Sequence, residues 1–203
     1  MPDRYANFAE LKAAEEEGVT YRISVRERSS AAIIIAPHGG YIEHETGALA
    51  TEIAGDELSL YCFEALTPED RQPPGRQHRL HITSHHFDEP ECLRLVGASE
   101  LVVAIHGRAD RGDKNAIYLG GLNAALVKDI AHQLAKNGFT VKTSGHQFPA
   151  TEPLNICNRS KDGRGGAQIE LPNSLRRRLH IDEKKRRAFV AAMRSAVAAA
   201  LVN

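Results

Sequence analysis

The sequence has no charge imbalance: Lys and Arg total 26, and Asp and Glu total 26. No net field therefore draws the chain to DNA, a membrane surface or an acidic substrate. Cysteine is scarce. Cys62, Cys92 and Cys157 are odd in number, widely spaced and free of any CxxC, so neither a disulfide framework nor a cysteine-rich zinc site is indicated. Reduced thiols are the simpler expectation. No run approaches the roughly 20 apolar residues that span a bilayer. The longest tract, Val190 to Val202, is broken by Arg194 and Ser195. The opening MPDRYANFAELKAAEEEG lacks the apolar core of a secretory signal, so a cytoplasmic location is expected. Also missing are a GxGxxG fingerprint, a P-loop, a nucleophile elbow and any internal repeat.

What remains fits one compact α/β domain over residues 1–203, long enough to bury a core without staples. Ten histidines with no tag-like run invite a search for metal or acid–base chemistry. Phe8 to Glu17 reads as a short amphipathic helix stopped by Gly18, and Thr20 to Val25 alternates as a strand. Ala31 to Ala36 is a continuous apolar run, the pattern of a strand covered on both faces. Thr46 to Ala54 reads as a helix ended by Gly55, and Leu58 to Phe63 as a strand. Residues 67–78 form a polar, Pro-rich surface loop. Arg79 to Thr83 reads as a strand, Pro90 to Val96 as a short helix, and Leu101 to Ile105 as a second buried strand. Residues 107–115 read as loop. Leu122, Leu126, Ile130 and Leu134 stripe a helix over Leu122 to Lys136, ended by Asn137-Gly138. Phe139 to Thr143 is a strand candidate, 144–166 a long polar loop, and Ala167 to Leu171 a strand closed by Pro172. Asp182 caps a last helix with the stripe Phe189, Met193, Val197 and Leu201. Its basic run, Lys184 to Arg187, reads as a solvated face. Strands alternating with helices predict a mainly parallel α/β sheet with helices on both faces.

Three of these buried-strand patterns end in ionisable residues: PHGGYIEHE carries His38 and Glu43, LVVAI leads into His106, and AQI leads into Glu170. Open α/β sheets bind ligands beyond the carboxyl ends of their strands, so His38, His106 and Glu170 converge if their strands are parallel neighbours. Residues i and i+5 share no helix face, but Gly39 and Gly40 permit a tight bend that folds Glu43 back toward His38. Two imidazoles and a carboxylate make a known catalytic zinc set with one open position. Glu170 is then placed to take a proton from the attacking water and give it to the leaving amine. Each residue alone has an ordinary explanation: a capped strand-end histidine for His38, a helix N-terminal carboxylate for Glu43, a loop-orienting side chain for His106, an edge ion pair for Glu170. His44 and Glu45 compete with Glu43 as ligand.

The segments APHGGYIEHETGALATEIAG, LHITSHHFDEP, LVVAIHG, NICNR and GAQIEL together resemble the poly-γ-glutamate hydrolase family, over about residues 31–172. That resemblance implies a compact relative of the zinc carboxypeptidases: a three-layer α/β/α sandwich with a mixed, mainly parallel sheet and one Zn2+ per chain. It implies hydrolysis of the γ-glutamyl amide bonds of poly-γ-glutamate. His38 and Glu43 fall on the first two zinc ligands, His106 on the third and Glu170 on the general base. Four residues separate the first ligand pair here, where the larger carboxypeptidases have two.

A polymer of carboxylates calls for cations beside the metal, and Arg159, Arg164 and Arg108 are the candidates. Asn158 and His85 are further candidate substrate contacts, and Tyr41 and Tyr118 could line the cleft. For His86 and His146, strand-end and loop positions suggest structural roles. Competing readings are an amidohydrolase of small N-acyl amino acids or γ-glutamyl peptides, and a phage replication-associated nucleic-acid binder. Neutral charge, few aromatics and no DNA-binding motif argue against the last. A γ-glutamyl substrate, no nucleic-acid or membrane partner, and a monomer are expected. Phage lysis could release such an enzyme onto an external capsule.

Overall fold

The computed structural model describes residues 3–68 and 78–202, so most of the Pro-rich 67–78 stretch lies outside the described residues. The strands are β1 (Tyr21–Arg26), β2 (Ala32–Gly40), β3 (Ser59–Ala65), β4 (Leu101–Arg108), β5 (Ala116–Gly120), β6 (Thr140–Lys142) and β7 (Ala167–Pro172). The helices are α1 (Phe8–Ala14), α2 (Thr46–Ala54), α3 (Pro90–Ala98), α4 (Ala124–Lys136), α5 (Asn173–Ile181) and α6 (Glu183–Leu201). Among the described residues the strands form one sheet in the order β1-β3-β2-β4-β7-β5-β6. β2, β3, β4 and β7 run parallel, as do β5 and β6; β1 against β3 and β5 against β7 are antiparallel.

The apolar runs put side chains into both faces. Ile34 packs with α2, α4 and α6 on one face, while Ile33 and Ile35 pack with α1, α3 and the loops on the other. All three isoleucines are fully buried, and each contributes roughly 1.5–3 kcal/mol through removal from water. The layers are therefore helix, sheet, and a mixed layer of helix and loop, which is the three-layer sandwich anticipated. Asn7, Asn123 and Asp182 cap α1, α4 and α6 by accepting backbone N–H bonds. In the basic run of α6, Lys184 and Arg187 are exposed, Arg187 pairing with Glu183, while Lys185 and Arg186 are half-buried, over the Phe139 ring and against Glu52 of α2. No helix among the described residues is long and apolar enough to cross a membrane.

Several elements differ from the sequence reading. Residues 79–83 are not a strand: His81 N–H bonds to the His78 carbonyl and His86 N–H to that of Thr83, so the chain spends its backbone groups in turns. β5 hides in the short run AIYLG, and α5 in the polar segment NSLRRRLHI, whose buried Leu175 and Leu179 lie four residues apart. Leu122 precedes α4 and is exposed, as is Leu201 at the end of α6.

β2 pairs with β4 only as far as Ile35 and Ala104. Pro37 then has no N–H to give a ladder, and the pairing with β3 shifts register between Ala36 and Gly39. The ladder with β4 therefore stops short of His38, and the last residues of β2 follow a course of their own at the carboxyl edge. The bend continues at Gly40, with φ of +63°, where an added Cβ would stand 2.1 Å from the Ala65 carbonyl oxygen. Gly40→Ala is therefore expected to destabilise the fold by about 1–3 kcal/mol or more. Urea denaturation checks this; an unchanged midpoint would show that the bend does not depend on glycine.

Candidate active site

The carboxyl ends of β2, β4 and β7 lie side by side in the sheet. His106 and Glu170 are direct partners across β4 and β7, and in-register residues of parallel strands share a face. That face is the one bearing α1 and α3, because Val102 and Ala104 belong to its core. Strict alternation along β2 would turn His38 to the opposite face with Ala36. The register shift brings it round instead. Its ring stacks on His81 at 4.1 Å between centroids and meets His106 edge-on at 4.9 Å.

His38 Nε2 lies 2.8 Å from the Ile82 carbonyl oxygen, which can only accept, so Nε2 carries the proton and Nδ1 keeps its lone pair. That Nδ1 sits 3.1 Å from His106 Nδ1. Glu43 completes the group, with Oε1 3.3 Å from His38 Nδ1 and Oε2 3.7 Å from His106 Nδ1. Its return is built locally: Glu43 N–H bonds back to the His38 carbonyl at 2.9 Å, and the Thr46 hydroxyl donates to the Glu43 carbonyl. Gly107 N–H, at the end of β4, donates to Glu43 Oε2 at 2.7 Å. A tetrahedral ion about 2.0–2.2 Å from each donor sets donors about 3.3–3.6 Å apart. The observed 3.1, 3.3 and 3.7 Å are close to that range, and the His38 tautomer presents the correct nitrogen, so these residues suit a divalent cation.

His81 is the residue the sequence reading missed. One of its ring nitrogens lies within 4.8 Å of ligand atoms of both His38 and Glu43. His38, Glu43 and His81 therefore also form a group able to hold a metal ion, with His81 an alternative to His106 as the third ligand. Its Nδ1 bonds to Asp3 Oδ1 at 2.8 Å, and Asp3 Oδ2 accepts from Thr83 N–H. No local pattern could reveal it, since its partner Asp3 precedes α1 while His81 lies between β3 and α3. Ser84 Oγ, also unanticipated, is 3.5 Å from His106 Nε2.

Burial opposes ionisation of the Glu43 carboxyl, but the adjacent His38 and His106 outweigh it and lower its pKa. Burial likewise opposes charge on His38, whose pKa the Glu43 carboxylate nevertheless raises. For His106, burial together with the charge of His38 prevails and lowers the pKa. Glu170 is pushed up to about 8, first by burial and then by the Glu43 charge, against the pull of Arg108 and Arg176. Gln168 donates to Glu170 Oε1 at 2.9 Å and is itself held by Asn155.

The candidate substrate contacts separate. Arg159 is half-buried beside this loop layer, with Nε on the Leu154 carbonyl and Nη2 on the His85 carbonyl. His85 itself is exposed, its ring against His86. Arg164 is not brought to the site: it pairs with Glu100, just before the amino end of β4, a strand length from His106. Arg108 is buried, its terminal nitrogens donating to the carbonyls of Ala109, Arg111, Asp113 and Ala116. Asn158 is buried too, donating to the Ala150 and Glu152 carbonyls and accepting from Leu122 and Gly166 N–H. Both hold loops, and of the Arg108 nitrogens Nε alone is left buried without a partner. Glu45 turns outward to His180, and His44 is exposed against Tyr41. Tyr118 lies beside Glu170 in register, stacked on His146 and under the Arg108 guanidinium.

The poly-gamma-glutamate hydrolase family matches this chain over residues 5–198. YndL of Bacillus subtilis (strain 168) is 35% identical over 179 residues, covering 87% of this chain and 67% of that protein. A zinc-free structure of YndL superposes with a TM-score of 0.80 at 31% identity, covering 96% of this chain and 97% of that one. A bacteriophage poly-gamma-glutamate hydrolase superposes with a TM-score of 0.86, also at 31% identity, covering 97% of both chains. An N-acetylmuramoyl-L-alanine amidase from Clostridium difficile 630, 12% identical with a TM-score of 0.50 over 87% of this chain and 99% of that one, shares the fold alone.

The raised Glu170 pKa has a consequence for stability. A folded-state pKa of about 8 against an ordinary 4.5 means that the folded protein binds this proton more tightly. The contribution is complete below pH 4.5 and lost as pH rises through 8. Chelator-treated wild type is expected to lose stability relative to Glu170→Gln across that window, on the order of a few kcal/mol. Denaturation midpoints at stepped pH test this, and parallel profiles for the two proteins would rule it out.

Proposed function

From the premise that this chain belongs to the poly-γ-glutamate hydrolase family, we propose that it is a zinc enzyme cleaving γ-glutamyl amide bonds of poly-γ-glutamate. In this reading His38, Glu43 and His106 hold one Zn2+ and Glu170 is the general base. The observation that carries it is the meeting of two Nδ1 atoms 3.1 Å apart with the Glu43 carboxylate, beside a buried Glu170 in register with His106.

Zinc, when bound, supplies a Lewis acid that polarises the scissile carbonyl and acidifies the attacking water. The chain's own groups do the rest. The Ile82 carbonyl keeps the proton on His38 Nε2, and Gly107 N–H fixes the Glu43 carboxylate, so the ligands are set before substrate arrives. Glu170, ionised, accepts a proton from the attacking water as the oxygen–carbon bond forms. It returns that proton to the amide nitrogen as the carbon–nitrogen bond breaks, and the second proton of the water passes from the new carboxyl to the amine, leaving a carboxylate and an ammonium. Its elevated proton affinity suits the second half of that cycle, and a dication nearby lowers the pKa enough to suit the first.

Arg159 is the remaining sequence-identified cation on this side of the sheet. Two of its N–H groups are fixed by carbonyls, leaving Nη1 pre-oriented for a substrate carboxylate. The chain spans 67% of the length of YndL, and poly-γ-glutamate is proposed as the substrate of the segment described here.

Purified protein is expected to hold about one zinc per chain, and His106→Ala to lose it, by elemental analysis. Glu170→Gln is expected to keep zinc while cleavage of poly-γ-glutamate falls by about 100-fold or more; a fully active variant would remove Glu170 from the role. Arg159→Ala is expected to raise KM more than it lowers kcat. An unchanged KM would take Arg159 out of substrate binding.

A further inference from the structure

Arg176 projects from the start of α5 and is buried, at 6% exposure. Its guanidinium bonds only to main-chain carbonyls: Nη1 to His44 at 2.6 Å, Nε to Leu171 at 3.2 Å and Nη2 to Arg108 at 3.5 Å. Those three carbonyls have one thing in common. His44 follows Glu43, Leu171 follows Glu170, and Arg108 stands two places after His106. They belong to three chain segments far apart in sequence: the loop before α2, the end of β7 and the end of β4. The fit is close as well, since a Cβ on Gly107 would stand 2.5 Å from Arg176 Cζ. Burial opposes its charge, which the carboxylates of Glu43, Glu170, Asp110 and Glu45 favour.

We propose that Arg176 is a positioning residue for the metal centre, holding Glu43, His106 and Glu170 at working distances by bridging the backbone just beyond each. The inference rests on the functional reading above. It depends on the planar fork of arginine. Lysine would keep the charge but present a single nitrogen, which cannot span three carbonyls in different directions. A group that only contributed to folding would change stability and leave the zinc affinity of the folded protein alone.

The experiment compares wild type with Arg176→Lys, Arg176→Gln and Arg176→Met. Lysine keeps the charge without the fork, glutamine keeps a planar donor without the charge, and methionine keeps neither. Zinc dissociation constants of folded protein come from competition with a chromogenic chelator, and kcat and KM from poly-γ-glutamate cleavage. All three variants are expected to bind zinc roughly 10–100-fold more weakly, with kcat lowered and KM within about twofold. Lysine is expected not to rescue. Wild-type zinc affinity and kcat in any of the folded variants would overturn the proposal. If the glutamine and methionine variants do not fold, Arg176→Lys, which keeps the buried charge, decides alone. Wild type that binds zinc but leaves the polymer intact would sink the substrate assignment, and the zinc constants would still judge Arg176. Wild type that binds no zinc would sink both.

Discussion

The site depends on one hydrogen bond between distant parts of the chain, from Gly107 N–H at the end of β4 to Glu43 Oε2 in the loop after β2. The strands themselves bring only His38, His106 and Glu170 to the edge. Glu43 lies in irregular backbone and has no strand to hold it. Its carboxylate is fixed because the loop closes on the His38 carbonyl behind it and on a main-chain donor in front. A charge-assisted bond of this kind is roughly twice as strong as a neutral one and is short enough to set direction. The end of β2–β4 pairing at Ile35 and Ala104 makes this possible, because Gly107 N–H is then not engaged by β2 and is left for the carboxylate.

The charges in this small volume are balanced across the sheet edge rather than pair by pair. Glu43 and Glu170 are both removed from water, and two buried carboxylates close together oppose each other's ionisation. Two guanidinium groups, Arg108 and Arg176, act on Glu170 without forming a salt bridge with it. Their hydrogen bonds go to carbonyls, so each remains a fixed positive charge that shapes the field without consuming a carboxylate oxygen. The Glu43 oxygens face the two Nδ1 atoms, and Glu170 keeps Oε2 free of the Gln168 bond. A dication placed among the donors completes this balance, favouring ionised carboxylates and neutral imidazoles together.

The apolar runs revealed the architecture because burial on two faces demands uninterrupted apolar residues. Ala32–Ala36, Leu101–Ile105 and the strand ahead of Glu170 were legible for that reason. So was the convergence of the residues that terminate them. β5 and α5 were not, because five residues carry little periodicity and three consecutive arginines mask two well-spaced leucines. His81 was hidden for a different reason. It reaches the site through turns stapled by Asp3, a contact across 78 positions that no local pattern encodes. Leu80-His81-Ile82 does alternate, and both leucine and isoleucine are buried. The alternation reflects turns packed on a sheet, not a strand within it.

Arginine and asparagine mark the other limit of reading residues by type. A basic side chain beside a proposed metal ligand suggests recognition of a carboxylate, and Arg108 sits two places from His106. Its surroundings instead need a donor, because residues 109–116 cross the edge of the sheet with carbonyls turned inward. The fork of Arg108 satisfies four of them. Asn158 does the same for the loop ahead of β7, accepting two N–H groups and donating to two carbonyls. Buried loops carry backbone groups that cost on the order of 1–3 kcal/mol each if left unpaired. Where a cleft is walled by loops rather than helices, the polar side chains nearest the chemistry are recruited first to satisfy the wall. Arg159 gives only two N–H groups to carbonyls, those of Leu154 and His85, and for that reason is the cation proposed above to meet a substrate carboxylate.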